Sequence, residues 1–159
     1  MRDYKIIKSC LNTSMQMKYK LPFPKAIRKK IIRPIGEYTH ENFLESKYAI
    51  DFILDVDTPI LAARSGKVIK TKFDSNKYGL NIKLADKANY VAINHGDETY
   101  AEYIHFGKDK VEVQEDQDIK TGDLLGYSGL SGCMSRPHLH FNVFKIKDKK
   151  SVSIPVKFI

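Results

Sequence analysis

The sequence predicts a mainly β domain of antiparallel sheets, barrel-like or sandwich in form. Two observations predict it. Short runs rich in β-branched and aromatic residues recur along the chain, broken by Gly, Asn, Asp or Pro roughly every 8 to 12 residues. No segment sustains an amphipathic helical period over about ten residues. A chain of 159 residues is one domain by length, enough to bury about 70% of its unfolded surface. There are no internal repeats and no low-complexity tract.

Residues 1–20, "MRDYKIIKSCLNTSMQMKYK", are polar and weakly patterned and read as an N-terminal arm packing loosely on a domain spanning 21–159. "YKLPFPKAIRKKIIRPIGEYTHENFLESK" holds three prolines and no helical period, so it reads as extended segments and loop. "YAIDFIL" is a strand. "PILAARSGKVIKTKF" reads as two strands pinched at Ser65-Gly66, a hairpin. "GLNIKLAD", "NYVAINHGD" and "TYAEYIHFG" follow as strands, each ending near Gly, Asp or Asn. "VEVQEDQDIKTGDLLGYSG" alternates about a turn at "KTGD", and "HLHFNVFKI" and "SVSIPVKFI" close the chain. "GYSGLSG" lacks the order of a phosphate loop and reads as a tight turn before Pro137.

Composition narrows the function. Apolar content of 42% and charged content of 29% fit an ordinary globular protein. No apolar run approaches the ~20 residues that span a bilayer. The N-terminus lacks the apolar core of a secretory signal, which leaves cytoplasmic, mature and otherwise exported forms all open. A net charge of +8 favours polyanionic partners, whether nucleic acid, anionic membrane or an acidic cell-wall polymer, with a plain solvated basic face as the simpler reading. The lysines are scattered without aromatic interleaving, so a nucleic-acid partner is not expected. Cys10 and Cys133 lie far apart with no CxxC spacing and read as free thiols, Cys133 in a loop.

The chemistry concentrates in the histidines. Within "RPHLHFNVF", strand alternation puts His138, His140 and Asn142 on one face and Leu139, Phe141 and Val143 on the other. Two imidazoles side by side on a strand suit a metal ligand pair, or a ligand beside a catalytic base; two surface histidines are the plain alternative. In "YAEYIHFG", the same alternation pairs Tyr103 with His105 and Ile104 with Phe106. Tyr103 reads as packing. Asp51 interrupts the apolar run "YAIDF", where a buried carboxylate needs a partner or a metal. Asp51, His105, His138 and His140 together have the composition of a hydrolytic zinc site. Such a site leaves one zinc position to water and lowers that water's pKa to about 7.

The ordered motifs "YAIDF", "TPILAARSGKVI", "ANYVAINHGD", "YAEYIHFG", "VQEDQDIKTGDLLGYSGLSG" and "PHLHFNV" resemble those of the lysostaphin-type, or LytM-type, murein endopeptidases. The likeness runs from "YKLPFP" to "SIPVKF", and His-x-His between Pro and Phe is its hallmark. The resemblance implies the duplicated-hybrid-motif type of β-fold, with a strand-floored substrate groove. It implies one Zn²⁺ per chain on Asp51 and His140, with His105 and His138 as the acid/base pair. His95 matches a family position outside the metal shell and reads as structural. Many members carry the first zinc histidine four residues before the Asp, where this chain has Lys47. A protonated lysine cannot ligate zinc. By likeness to members with the wording "SH…YAIDF", "THENFLESKYAIDF" implies His40, eleven residues before Asp51, as third ligand. Tyr38, two residues earlier, corresponds to a tyrosine that donates a hydrogen bond to the tetrahedral intermediate. Peptidoglycan peptides are the implied substrate, and the cell envelope or the medium the implied location. A monomer is expected. Lys47 also fits an alternative: a degenerate member that binds cell-wall peptide or regulates another murein hydrolase.

Overall fold

A computed structural model describes residues 18–27, 30–32 and 44–159. In chain order the described strands are β1 (Lys18–Tyr19), β2 (Lys30–Ile32), β3 (Ile50–Ile53), β4 (Pro59–Leu61), β5 (Gly66–Lys72), β6 (Tyr78–Gly79), β7 (Tyr90–Asn94), β8 (Tyr100–Ile104), β9 (Phe106–Val111), β10 (Asp118–Ile119), β11 (Leu124–Ser128), β12 (Gly132–Cys133), β13 (His138–Lys147), β14 (Lys150–Ser153) and β15 (Lys157–Phe158). The main sheet runs β10-β5-β7-β8-β13-β3-β2, with β14 added to β13, and every pairing in it is antiparallel. A second antiparallel sheet, β4-β11-β9, packs on it. The mainly β, antiparallel architecture is the one the alternation predicts.

The core lies between these two sheets. Leu139, Phe141 and Val143 point into it from β13, each at 2% exposure or less. Phe52, Val68, Val91 and Tyr103 join them from the main sheet, and Ile60, Phe106 and Leu125 come from the second. Edge-to-face ring contacts reinforce the core: Tyr103 meets Phe141, its partner across β8 and β13, at 5.1 Å between centroids, and Phe23 meets Phe52 also at 5.1 Å. Tyr103 donates no chemistry: its hydroxyl accepts from the Ala63 N–H at 2.8 Å in full burial. From the predicted arm, Lys18 and Tyr19 pair in parallel with Lys157 and Phe158, and the Tyr19 ring is fully buried. Residues 1–17 lie outside the described residues. Among the described residues no helix is long and apolar enough to cross a membrane.

Three readings of local structure are corrected. "PILAARSGKVIKTKF" is not a hairpin, because β4 joins the second sheet and β5 the main one. The buried Ala62 and Ala63 carry the chain between layers. Gly66 serves a close approach rather than a turn, since a Cβ there would lie 2.4 Å from the Asn94 carbonyl oxygen. "GLNIKLAD" forms a 3₁₀ turn at Ile82–Lys87, capped by Asn81, whose Oδ1 accepts from the Lys83 N–H at 3.0 Å. It buries no side chain, so the alternation had no face to serve. Cys133 is a free thiol, but it sits in β12, paired with β6, rather than in a loop.

One surface ion pair gives a pH-dependent prediction. Arg64 Nη2 lies 2.6 Å from Asp97 Oδ2, and the Thr99 N–H donates to Asp97 Oδ1 at 3.3 Å. Burial pulls the Asp97 carboxyl upward, but the hydrogen bonds from Arg64 and Thr99 outweigh it and hold the group at about 2. A depressed carboxylate contributes stability above its unfolded value, near 3.9, and loses it as pH falls through its folded value. The side chain is 40% exposed, so solvent screening limits the gain to about 1 kcal/mol. Asp97→Asn is therefore expected to lower the unfolding free energy by about that amount at pH 7 and much less near pH 2, as read from urea titrations at both pH values.

Candidate functional site

Sheet register assembles the site. β13 and β3 pair so that His140 stands directly opposite Asp51 and His138 opposite Ile53. His140 Nδ1 lies 2.9 Å from Asp51 Oδ1, and His138 Nε2 lies 3.8 Å from the same oxygen. All three side chains are 15% exposed or less. Residues paired across adjacent strands share a face, so Tyr90, Ile104, His140 and Asp51 form one row on the outer side of the main sheet.

His105 reaches the same place by breaking the pleat. Its φ of 78° is left-handed, at a cost of order 1 kcal/mol for a residue with a Cβ. The pairing of Tyr103 with His105 is thereby corrected: Tyr103 and Phe106 both enter the core, and His105 turns outward between them. Its ring centroid lies 4.5 Å from that of His138 and 6.2 Å from that of His140. His105 Nδ1 donates to the Ser131 carbonyl at 2.6 Å, and His138 Nδ1 donates to the Arg136 carbonyl at 2.9 Å. A carbonyl only accepts, so both rings carry a proton on Nδ1, and Nε2 is the nitrogen left for chemistry. Burial, with the neighbouring His138 and His140, pushes His105 down to about 3, so it is a neutral acceptor.

Sequence reading missed the frame that holds His105. Asn89, fully buried, uses every polar atom on it. Its carbonyl accepts from the His105 N–H at 2.9 Å, its N–H donates to Ser131 Oγ at 3.0 Å, and its Nδ2 donates to the Ser75 and Phe106 carbonyls at 2.8 and 3.1 Å. Its Oδ1 accepts from the Ser75 N–H, and Ser131 Oγ donates on to the Phe106 carbonyl. A polar Asn between Ala88 and the strand "YVAIN" was the available signal. Asn89→Ala leaves several of these buried groups unpaired and is expected to cost about 2–4 kcal/mol in urea unfolding.

Asp51, His105, His138 and His140 are thus brought together. Lys47, at the position of the usual first ligand, is exposed, with Nζ 5.6 Å from the centroid of the Tyr48 ring. His40 and Tyr38 lie outside the described residues. Among the described residues no three His, Cys, Asp or Glu side chains are grouped to hold a metal ion. Asp51 Oδ1 and His140 Nδ1, joined here by a 2.9 Å hydrogen bond, have the donor types for two positions of a tetrahedral zinc, whose ligand atoms stand farther apart, at about 3.3 Å. His95 has a packing role, its Nδ1 donating to the Ser65 carbonyl at 2.8 Å and its ring meeting Tyr19 edge-on.

The sequence profile named Peptidase family M23 matches residues 45–153, which include all four residues of the cluster. The chain belongs to peptidase family M23. Among relatives, lysostaphin from Staphylococcus simulans is 30% identical over 95 residues, covering 59% of this chain and 17% of lysostaphin. Peptidoglycan DD-endopeptidase ShyA from Vibrio cholerae is 30% identical over 93 residues, covering 58% of this chain and 19% of ShyA. The M23 chain thus spans about a fifth of the length of these relatives. Two solved structures share its fold. A zinc-containing peptidase from Vibrio cholerae superposes with a TM-score of 0.62 at 23% identity, over 90% of this chain and 42% of that one. The catalytic domain of lysostaphin from Staphylococcus simulans gives 0.53 at 22% identity, over 85% and 84%.

Proposed function

We propose that this M23 chain is a zinc metalloendopeptidase that hydrolyses amide bonds in peptidoglycan stem peptides or cross-bridges. The observation that carries this reading is the convergence of Asp51 Oδ1 and His140 Nδ1 beside two imidazoles whose Nδ1 atoms are anchored on backbone carbonyls. ShyA's name as a peptidoglycan DD-endopeptidase supports the bond class. The +8 charge suits an anionic wall, in the envelope or outside the cell.

In this reading Asp51 and His140 hold one Zn²⁺, with His40 as third ligand, and residues 21–159 form the peptidase domain behind an arm at 1–20. Bound zinc supplies a water acidified to a pKa of about 7 and polarises the scissile carbonyl. His105 and His138 then move the proton. One takes it from the attacking water at Nε2, and it passes to the departing amine nitrogen as the C–N bond breaks. The carbonyls of Ser131 and Arg136 fix each ring in the tautomer this requires and stabilise the imidazolium that forms. Tyr38 donates a hydrogen bond to the oxyanion of the tetrahedral intermediate. A monomer suffices for these steps.

Elemental analysis of wild type and His40→Ala, with amine release from purified peptidoglycan, tests the reading. About one zinc per chain and amine release in wild type, with much less of both in the variant, is expected. No zinc in either protein after reconstitution, and no amine release, would instead favour the second reading, a groove that binds wall peptide or regulates another hydrolase. The exposed Lys47 at the usual ligand position is the observation on that side.

A further inference from the structure

Beside His140 the outer face of the main sheet dips into a depression of about 410 Å³. Ile104, the strand partner of His140, lines its near side, and Glu102, Ala92 and Tyr90 continue it along β8 and β7. Phe144, held in a stack with Tyr100 at 5.4 Å between centroids, closes another side.

Three charged residues line this largely apolar slot. Lys70 is drawn to Glu115 at 3.2 Å, and Asp86 to Lys87 at 2.6 Å. Glu102 has no ion pair among the described residues. The adjacent Asn142, which donates to the Glu45 carbonyl at 2.7 Å, also gives the Glu102 carboxyl a hydrogen bond but brings it no charge. A carboxylate half-buried among hydrocarbon and left without a cation attracts one, and an ammonium on a methylene stem matches both the charge and the apolar walls.

We propose that this depression is a substrate subsite for an alkylammonium side chain, with Glu102 receiving the ammonium and Tyr90, Ile104 and Phe144 flanking its stem. The proposal rests on the neighbouring cluster being the place of hydrolysis, and it makes Glu102 a specificity-determining residue of that reaction.

The test uses the zinc-reconstituted chain and two ligands, Nα-acetyl-lysine amide and Nα-acetyl-norleucine amide, titrated by NMR. Norleucine keeps the four-carbon stem and lacks only the ammonium. The wild type is expected to bind the lysine amide about tenfold more tightly or better, and Glu102→Gln to bring the two within about twofold. Ala85→Trp, on the exposed 3₁₀ wall of the slot, is expected to weaken both ligands. Equal affinities in wild type, a preference that survives Glu102→Gln, or binding indifferent to Ala85→Trp overturns the subsite. So does a Glu102→Gln protein that loses zinc while keeping the preference, because Glu102 then acts on His140. Binding needs no hydrolysis, so the two readings fail separately. A chain that prefers the lysine amide and cuts nothing loses only the peptidase reading, and one that cuts peptidoglycan without the preference loses only the subsite.

Discussion

Replacing His140 with alanine is expected to remove zinc and hydrolysis together, whereas replacing His105 leaves zinc at about one per chain and lowers the rate by 10²- to 10⁴-fold. The contrast follows from which nitrogen faces what. His140 turns Nδ1 to within 2.9 Å of the Asp51 carboxylate, so its loss deletes one of two adjoining donor atoms. Even residues that only orient a metal ligand change affinity by 10- to 100-fold, so loss of a ligand itself should exceed about 100-fold. His105 spends Nδ1 on the Ser131 carbonyl and offers only a lone pair, in a setting that keeps it neutral. His138→Ala belongs with His105: zinc is retained and the rate falls. Metal content and rate measured on the same preparations separate the roles. If His105→Ala loses zinc as completely as His140→Ala, the division into ligand and base is wrong.

Local alternation was enough to read the paired faces of β13 and the burial of Asp51, because a period of two survives wherever one face meets a core. It failed at His105 for a definite reason. A left-handed φ on a histidine reverses the alternation at one residue, and "YIHFG" carries no signal for it, since the glycine stands two positions later. Asn89 and Ser131 were illegible for another reason. Their partners lie 14 to 42 residues away, so their role exists only once three loops have closed on one another. Ser65-Gly66 was a true glycine signal with two physical causes, a turn or a close backbone approach, which one sequence cannot separate. Lys47 marked a departure at the usual first-ligand position, and only the resemblance pointed to His40.

Gly129→Ala is expected to damage the protein out of proportion to one methyl group. A Cβ at Gly129 would stand 2.3 Å from the Gly107 Cα and 2.5 Å from the Gly107 nitrogen, both backbone atoms that cannot swing aside. The two segments in that contact are the ones that position His105. Gly129 donates its N–H to the His105 carbonyl at 2.9 Å, and two residues later the Ser131 carbonyl receives His105 Nδ1. Forcing them apart is expected to cost about 1–3 kcal/mol in urea unfolding. A base displaced by about 1 Å loses on the order of 10²-fold in rate, so hydrolysis should fall at least that far. Zinc content should hold near one per chain, because Asp51 and His140 sit on β3 and β13, away from the contact. Gly122→Ala is the control. It meets nothing within 4 Å, and its φ of 96° costs about 1 kcal/mol of backbone strain without touching His105. A Gly129→Ala protein that matched Gly122→Ala in both stability and rate would mean that His105 is positioned by the Asn89 frame alone and that the glycine contact is incidental packing.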